Sequence, residues 1–278
     1  TGALEEITEG SNTGYRIAGR DPANYGNIGI NAVDLSNSIS PSATRGASGP
    51  NSTAMGGGTT ASGLYSTAMG YDTEASGLYS TAMGDGTTAS GSRSTAMGVE
   101  TTASGDESTA MGYGSTASGS VSTALGAVAS ASGTYSTAMG YATTASGIFS
   151  TAMGGGTIAS GTYSTAMGEE TTASGDGSTA MGEETTASGD RSTAMGEETT
   201  ASGLNSTAMG YRTTASGVES TAMGYLTTAK SYAELAIGLN NTDYTPASTN
   251  SWQSGDRLFV IGNGTSVYAK SDAMIVYK

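Results

Sequence analysis

The chain contains no cysteine and no histidine among its 278 residues. Disulfide staples, thiol chemistry and Cys/His zinc sites are therefore excluded. General acid–base catalysis loses its commonest side chain, and no other pair of groups is set apart for it. The expectation is a protein that is not an enzyme and takes no cofactor. Large side chains are scarce as well, with one Trp, two Phe and four Pro. Apolar residues other than Gly make up 36% of the chain, which leaves little for a conventional large core. No run of 18 apolar residues is present, so nothing here is expected to span a membrane as a helix. No signal peptide is visible; any anchor or export segment is expected outside this stretch. Positive charge is also rare. Ten Lys and Arg face 24 Asp and Glu, a net charge of −14, which disfavours nucleic-acid phosphates as partners.

Low hydrophobicity with high net charge can signal disorder. What the chain does contain argues against that. S-T-A-M-G occurs twelve times and S-T-A-L-G once, from Ser52 to Ser220, at an unbroken spacing of 14 residues. Ala236, Ile237 and Gly238 continue the register into a degenerate turn. Each unit splits into S-T-A-M-G-x-x and T-T-A-S-G-x-x, so the elementary period is seven. A coiled coil shares that period, but a Gly in every seven residues costs ~1 kcal/mol each in a helix. Five extended residues followed by a two-residue turn fit better. Two such halves make one coil of a β-solenoid, with successive coils stacked ~4.8 Å apart. The freely varying pairs, such as Leu64-Tyr65 and Glu183-Glu184, then fall at the corners.

Alternation assigns the faces. Ser52, Ala54 and Gly56 share one side, and Thr53 and Met55 the other. In the second half Thr59, Ala61 and Gly63 oppose Thr60 and Ser62. So narrow a coil admits only small residues, which places the Ser/Ala/Gly and Thr/Ala/Gly faces inside. Met55, Met69, Met83, Met97, Met111, Leu125, Met139, Met153, Met167, Met181, Met195, Met209 and Met223 are then expected as a continuous apolar stripe outside. The plainer alternative puts Met in the solenoid core, with Ala and Ser turned outward. A stripe left in water would exceed the apolar patches that monomers tolerate. A straight homotypic stripe suits a cyclic oligomer in which each copy offers the same face to the axis.

These residues resemble a known family. S-T-A-M-G-x-x-T-T-A-S-G-x-x is similar to the YadA-like head repeat of trimeric autotransporter adhesins, close to S-V-A-I-G-x-x-S-x-A-x-G-x-x. The likeness covers about 52–238. It implies an all-β, left-handed parallel β-roll, a tightly packed homotrimer, and a threefold axis lined by the Met-bearing strand. Thr53 replaces Val and Met55 replaces Ile, so flexible Met fills the trimer core. Similar repeats occur in phage tail fibres and in large bacterial surface proteins. Weaker likenesses extend to 14–36, as a cap before the repeats, and to 256–278, as a connector after them.

The domain reading is a cap with its first coils at 1–51, a β-roll at 52–238, and a β-rich cap or connector at 239–278. Ala47-Ser48-Gly49 already matches Ala61-Ser62-Gly63. Leu258–Ile261 and Met274–Tyr277 read as strands, with Trp252 and Phe259 expected to seal the lower end. Glu169, Glu170, Glu183, Glu184, Glu197 and Glu198 fall at one corner of three successive coils. They read as a solvated acidic face, with a divalent-cation site as the sharper alternative. The Thr60 and Ser62 rows read as a soluble β surface, with ice binding as the sharper alternative. Tyr65, Tyr79, Tyr135, Phe149 and Tyr163 share the other corner and are the candidates for ligand contact.

The function expected is a structural and adhesive head of a surface fibre. It would bind a protein or glycan ligand by many weak contacts, outside the cell, with membrane attachment only through segments not included here. A trimeric phage or injection-system tail fibre is the alternative, and an ice- or glycan-binding solenoid a third.

Overall fold

A computed structural model describes residues 3–278. The chain is all-β apart from one 3-10 turn at Pro22–Asn24 among the described residues. It divides after Tyr141 into two compact units. Both are parallel β-solenoids with coils of 14 residues.

In the first unit, five-residue strands at Thr53–Gly57, Thr67–Tyr71, Thr81–Asp85, Thr95–Val99, Thr109–Tyr113, Thr123–Ala127 and Thr137–Tyr141 pair in parallel. Thr lies on Thr, Ala on Ala and Met on Met. Two-residue strands from Gly46–Ala47 to Ser130–Ala131 form the second ladder. The second unit repeats the plan, with short strands from Thr144–Ala145 to Thr228–Ala229 and long ones from Thr151–Gly155 to Leu235–Leu239.

The interior holds what the repeat predicts. Ala54, Ala61, Ser52 and Thr59 and their equivalents are buried, while the Met side chains are exposed or half-exposed. The reading of Met as core is thereby overturned. Most interior hydroxyls find no side-chain or backbone partner among the described residues. Ser94 and Ser150 show the available bond, donating to the Gly91 and Gly147 carbonyls at 2.7 Å.

Two details depart from the sequence reading. The halves of a coil are unequal, with five strand residues against two. The short strand ends because the Ser62 and Gly63 amides both donate to the Ala75 carbonyl, at 3.0 and 3.1 Å, so the ladder loses its even step. Gly56 is also not on the inner face. It sits at φ +118°, and a Cβ there would meet the Gly70 carbonyl oxygen of the next coil at 1.9 Å. Glycine is demanded by contact between coils, not by lack of room inside.

Corners carry strain that stacking offsets. Ser66 N–H closes on the Gly63 carbonyl at 3.1 Å, with Tyr65 at φ 58°, the pattern of a type II turn. A non-glycine residue there costs ~1–2 kcal/mol. In return the Tyr65 amide reaches the Pro50 carbonyl of the preceding coil at 2.9 Å, and Tyr79 reaches Leu64 likewise. The hydrogen-bond ladder therefore runs through the turns.

Each unit closes one end by leaving the repeat. In the first, Leu4–Glu9 and Asn12–Ile17 form an antiparallel hairpin. Asn12–Ile17 pairs in parallel with Val33–Asn37, which pairs with Thr53–Gly57. Asp34 thus takes the column position of Ala54, and Arg16 that of Asp34. Arg16 bonds Asp34 and Glu9, each at 3.0 Å, donates to the Gly26 carbonyl and lies 4.7 Å from the Tyr25 ring centre.

In the second unit Arg257–Asn263 pairs in parallel with Leu235–Leu239, and Asp272–Tyr277 adds antiparallel to it. Val260 continues the Ala column and Ile261 the Met column. The expected aromatic seal is not found. Trp252 is 56% exposed, on a loop whose amides at Ala247 and Ser248 are held by the Asp256 carboxylate. The end is filled instead by Glu234, Asn240, Asn241, Asp256, Arg257 and Val260, while Phe259 is only half-buried. Arg257 pairs with Asp272 at 3.3 Å and stacks 4.2 Å from the Tyr244 ring centre. This end is a buried polar network, with Glu234 Oε1 and Asn240 Oδ1 left without a hydrogen-bond partner among the described residues.

Candidate assembly and ligand-contact surfaces

Each unit presents its own Met ladder. Met55, Met69, Met83, Met97, Met111, Leu125 and Met139 stand in register in the first. Met153, Met167, Met181, Met195, Met209 and Met223 do so in the second, continued by Ile237 and Ile261. The outermost described Met of the first unit, Met55, is 42% exposed. Most others are half-covered by the coils above and below. Thr lies two residues before each Met on the same outward side.

At the corner after the short strand, Tyr65 and Tyr79 stack with ring centres 5.0 Å apart and planes 2° apart. Phe149 and Tyr163 stack at 4.9 Å and 2°. The coil spacing itself produces this, since like residues at one corner lie one β-ladder step apart. Tyr135 is exposed at the same corner. The sequence reading overlooked a second aromatic set. Tyr71, Tyr113, Tyr141 and Tyr225 end the long strands, two residues after a Met, and all are exposed. The signal was present as T-A-M-G-Y, with Tyr always in the first variable position. Tyr211 and Tyr225 stack there at 4.9 Å.

The glutamates occupy the same corner as this second set. Glu169, Glu183 and Glu197 are register partners in consecutive strands. Glu170, Glu184 and Glu198 hold the left-handed turn position at φ 50–51°. The ladder ends on a cation: Arg212 clasps Glu198 through two bonds of 2.7 and 2.6 Å. That hydrogen bond holds the Glu198 carboxyl below its ordinary value. Among the described residues no group of three or more acidic side chains converges to hold a metal ion. At the opposite corner, aspartates brace the turns instead. Asp176 accepts from the Thr162 amide at 2.9 Å, and Asp190 from the Asp176 amide at 3.1 Å.

The 14-residue repeat that builds these coils matches one family model. The YadA head domain repeat, taken two copies at a time, fits residues 47–73, 75–101, 103–129, 131–157, 159–185, 187–213, 201–227 and 215–231.

The chain belongs to the YadA head repeat family.

That family is adhesive and structural, not enzymatic, so this YadA head segment is an adhesin-type head module. No curated protein matches the chain. No helix among the described residues is long and apolar enough to cross a membrane.

Proposed function

We propose that this segment is the homotrimeric adhesive head of a surface fibre, displayed outside the cell. The Met ladders are its trimer core, and its corners bind a protein or glycan ligand through repeated weak contacts. In this reading 52–238 is the roll proper, with 1–51 and 239–278 as its caps. The observation that carries it is the Met ladder: a large apolar side chain at one outward position of coil after coil, with no covering element among the described residues of either unit. Burying one such side chain is worth ~1.5–3 kcal/mol, and the term recurs coil after coil. Three identical ladders meeting on an axis bury all of them without leaving an open binding face. Simultaneous engagement of three chains then raises avidity at the corners.

Light scattering tests this directly. The expected mass is about 82 kDa, three times 27.3 kDa. Met97→Asp puts three carboxylates in a dry axis and should break the assembly. Thr102→Asp, on the short strand of the same coil, should leave it intact. A monomer in dilute buffer, or equal effects of the two substitutions, overturns the reading.

A further inference from the structure

One place on the second unit interrupts the corner stack in a manner that makes a recess. In the column of left-handed turn residues running from Asn51 to Ala233 in steps of 14, Gly177 is the single glycine. Its neighbours in the column are Tyr163 before and Arg191 after. The missing side chain leaves a recess of about 350 Å³ lined by Thr162, Tyr163, Asp176, Gly177, Asp190 and Arg191.

The recess has defined walls. One face of the Tyr163 ring is covered by Phe149. The other faces the level that Gly177 leaves without a side chain. Tyr163 is 65% exposed, against 44–52% for Tyr65, Tyr79, Tyr135 and Phe149. Two coil spacings, about 9.6 Å, separate the levels of Tyr163 and Arg191. A single ring midway between them stands about 4.8 Å from each level, close to the 4.9 Å that separates the Phe149 and Tyr163 ring centres. Asp176 and Asp190 stand beside this level. Each has one carboxylate oxygen committed to a backbone amide, which fixes its side chain, and a second oxygen left to accept. The Arg191 guanidinium makes no ion pair among the described residues and supplies donors.

The geometry points to a binding site for a neutral hexopyranose, taken up as the missing rung of the aromatic stack. The C–H face of a pyranose carries partial positive charge and suits the negative face of the Tyr163 ring. Its rim of hydroxyls both donates and accepts, matching two carboxylates and one guanidinium. An aromatic ring would use the Tyr163 face but leave those polar groups without partners. An anionic sugar would meet two carboxylates against one cation. This inference rests on the adhesive-head reading and names its ligand class. A homotrimer would carry three such recesses.

The test uses the whole segment and the methyl glycosides of glucose, galactose, mannose and N-acetylglucosamine, with a methyl sialoside as the charged comparator. Ligand-observed saturation-transfer NMR should show transfer to the ring C–H protons of at least one neutral glycoside, with millimolar affinity per site. Gly177→Tyr fills the recess with the residue that Tyr163 and Tyr135 already carry at the same left-handed position, so the fold should accept it. It should abolish the signal. Tyr163→Ala should reduce it at least tenfold. No transfer from any neutral glycoside, full transfer in Gly177→Tyr, or binding of the sialoside alone overturns the inference. Light scattering on the same samples separates the two proposals. A monomer that binds the glycoside sinks the trimer and keeps the site, and a trimer that binds none does the reverse.

Discussion

Along the first unit one interior column reads Ala54, Ala68, Ala82, Ala96, and every member is buried. One strand beyond Ala54, the same column holds Asp34, and beyond that Arg16, both buried as well. Two kinds of interior thus share one axis. In the coils each layer is covered above and below by an identical layer, so a methyl group is all the space allows. At the end there is no next layer. The hairpin and the loop at 18–32 fold over instead, and they bring backbone groups that need partners. An ion pair with its bonds satisfied fills the larger, more polar space. The second unit differs in the column itself, where Val260 follows Ala236, but buried charge lines its end too, with Arg257 paired to Asp272. Repetition favours small apolar residues, and closure favours charge.

The sharpest way to break this comparison is Asp34→Ala. It gives the end the residue that the rest of the column carries. If the column were uniform, the change would be benign. Because it leaves Arg16 buried beside one carboxylate instead of two, it should cost about 3–5 kcal/mol in chemical denaturation of the first unit. A cost below about 1 kcal/mol would show that the end tolerates the chemistry of the coils.

A second, smaller effect sets Glu234 against the hydroxyls of the coil interior, which do not titrate. Glu234 is 1% exposed. Its Oε2 accepts from the Lys230 and Ser231 amides and the Tyr244 hydroxyl, while Oε1 has no partner among the described residues. Burial pushes its pKa above the ordinary 4.5, with those bonds opposing. The folded state therefore holds this proton more tightly than the unfolded chain does. The contribution is fully present below about 4.5 and is lost as pH rises through the raised folded value. Glu234→Gln keeps an acceptor and removes the titration. The melting-temperature difference between wild type and variant should shift in the variant's favour between pH 4 and pH 7. A difference independent of pH would place Glu234 with the inert groups of the coils.

The smallest effect concerns the exposed corner, where charge meets water. If the Glu169–Glu198 ladder is a solvated face, its repulsion is screened by any salt. Millimolar calcium should then raise the melting temperature no more than sodium chloride at matched ionic strength. A saturable calcium midpoint, lost when the six Glu become Gln, would instead reveal a cation site.

The coils were legible because period and side-chain size agree: seven-residue halves, one Gly in each, and nothing larger than Thr at the inner positions. The ends were not, because the period slips there. Twenty residues separate Leu35 from its partner Met55, and 24 separate Ile237 from Ile261. A search at 14 passes over both coils. Trp252 misled for a different reason. Size predicts burial only where the backbone can bring the side chain inward, and its loop is tied down by Asp256. The inward reading of Gly56 failed because strict alternation assumes negative φ throughout. Of the ligand-contact candidates, the stacking of Tyr65 on Tyr79 follows from the spacing, but the open face of Tyr163 follows only from what Gly177 omits.

The sequence by itself determined the coil length, the residues that fill the interior, and the outward Met at every step, since these depend only on local periodicity and volume. Tertiary structure alone decided where each solenoid stops and which charges close it. Those depend on chain segments far apart in sequence meeting at one level of a stack, and no local pattern records that meeting.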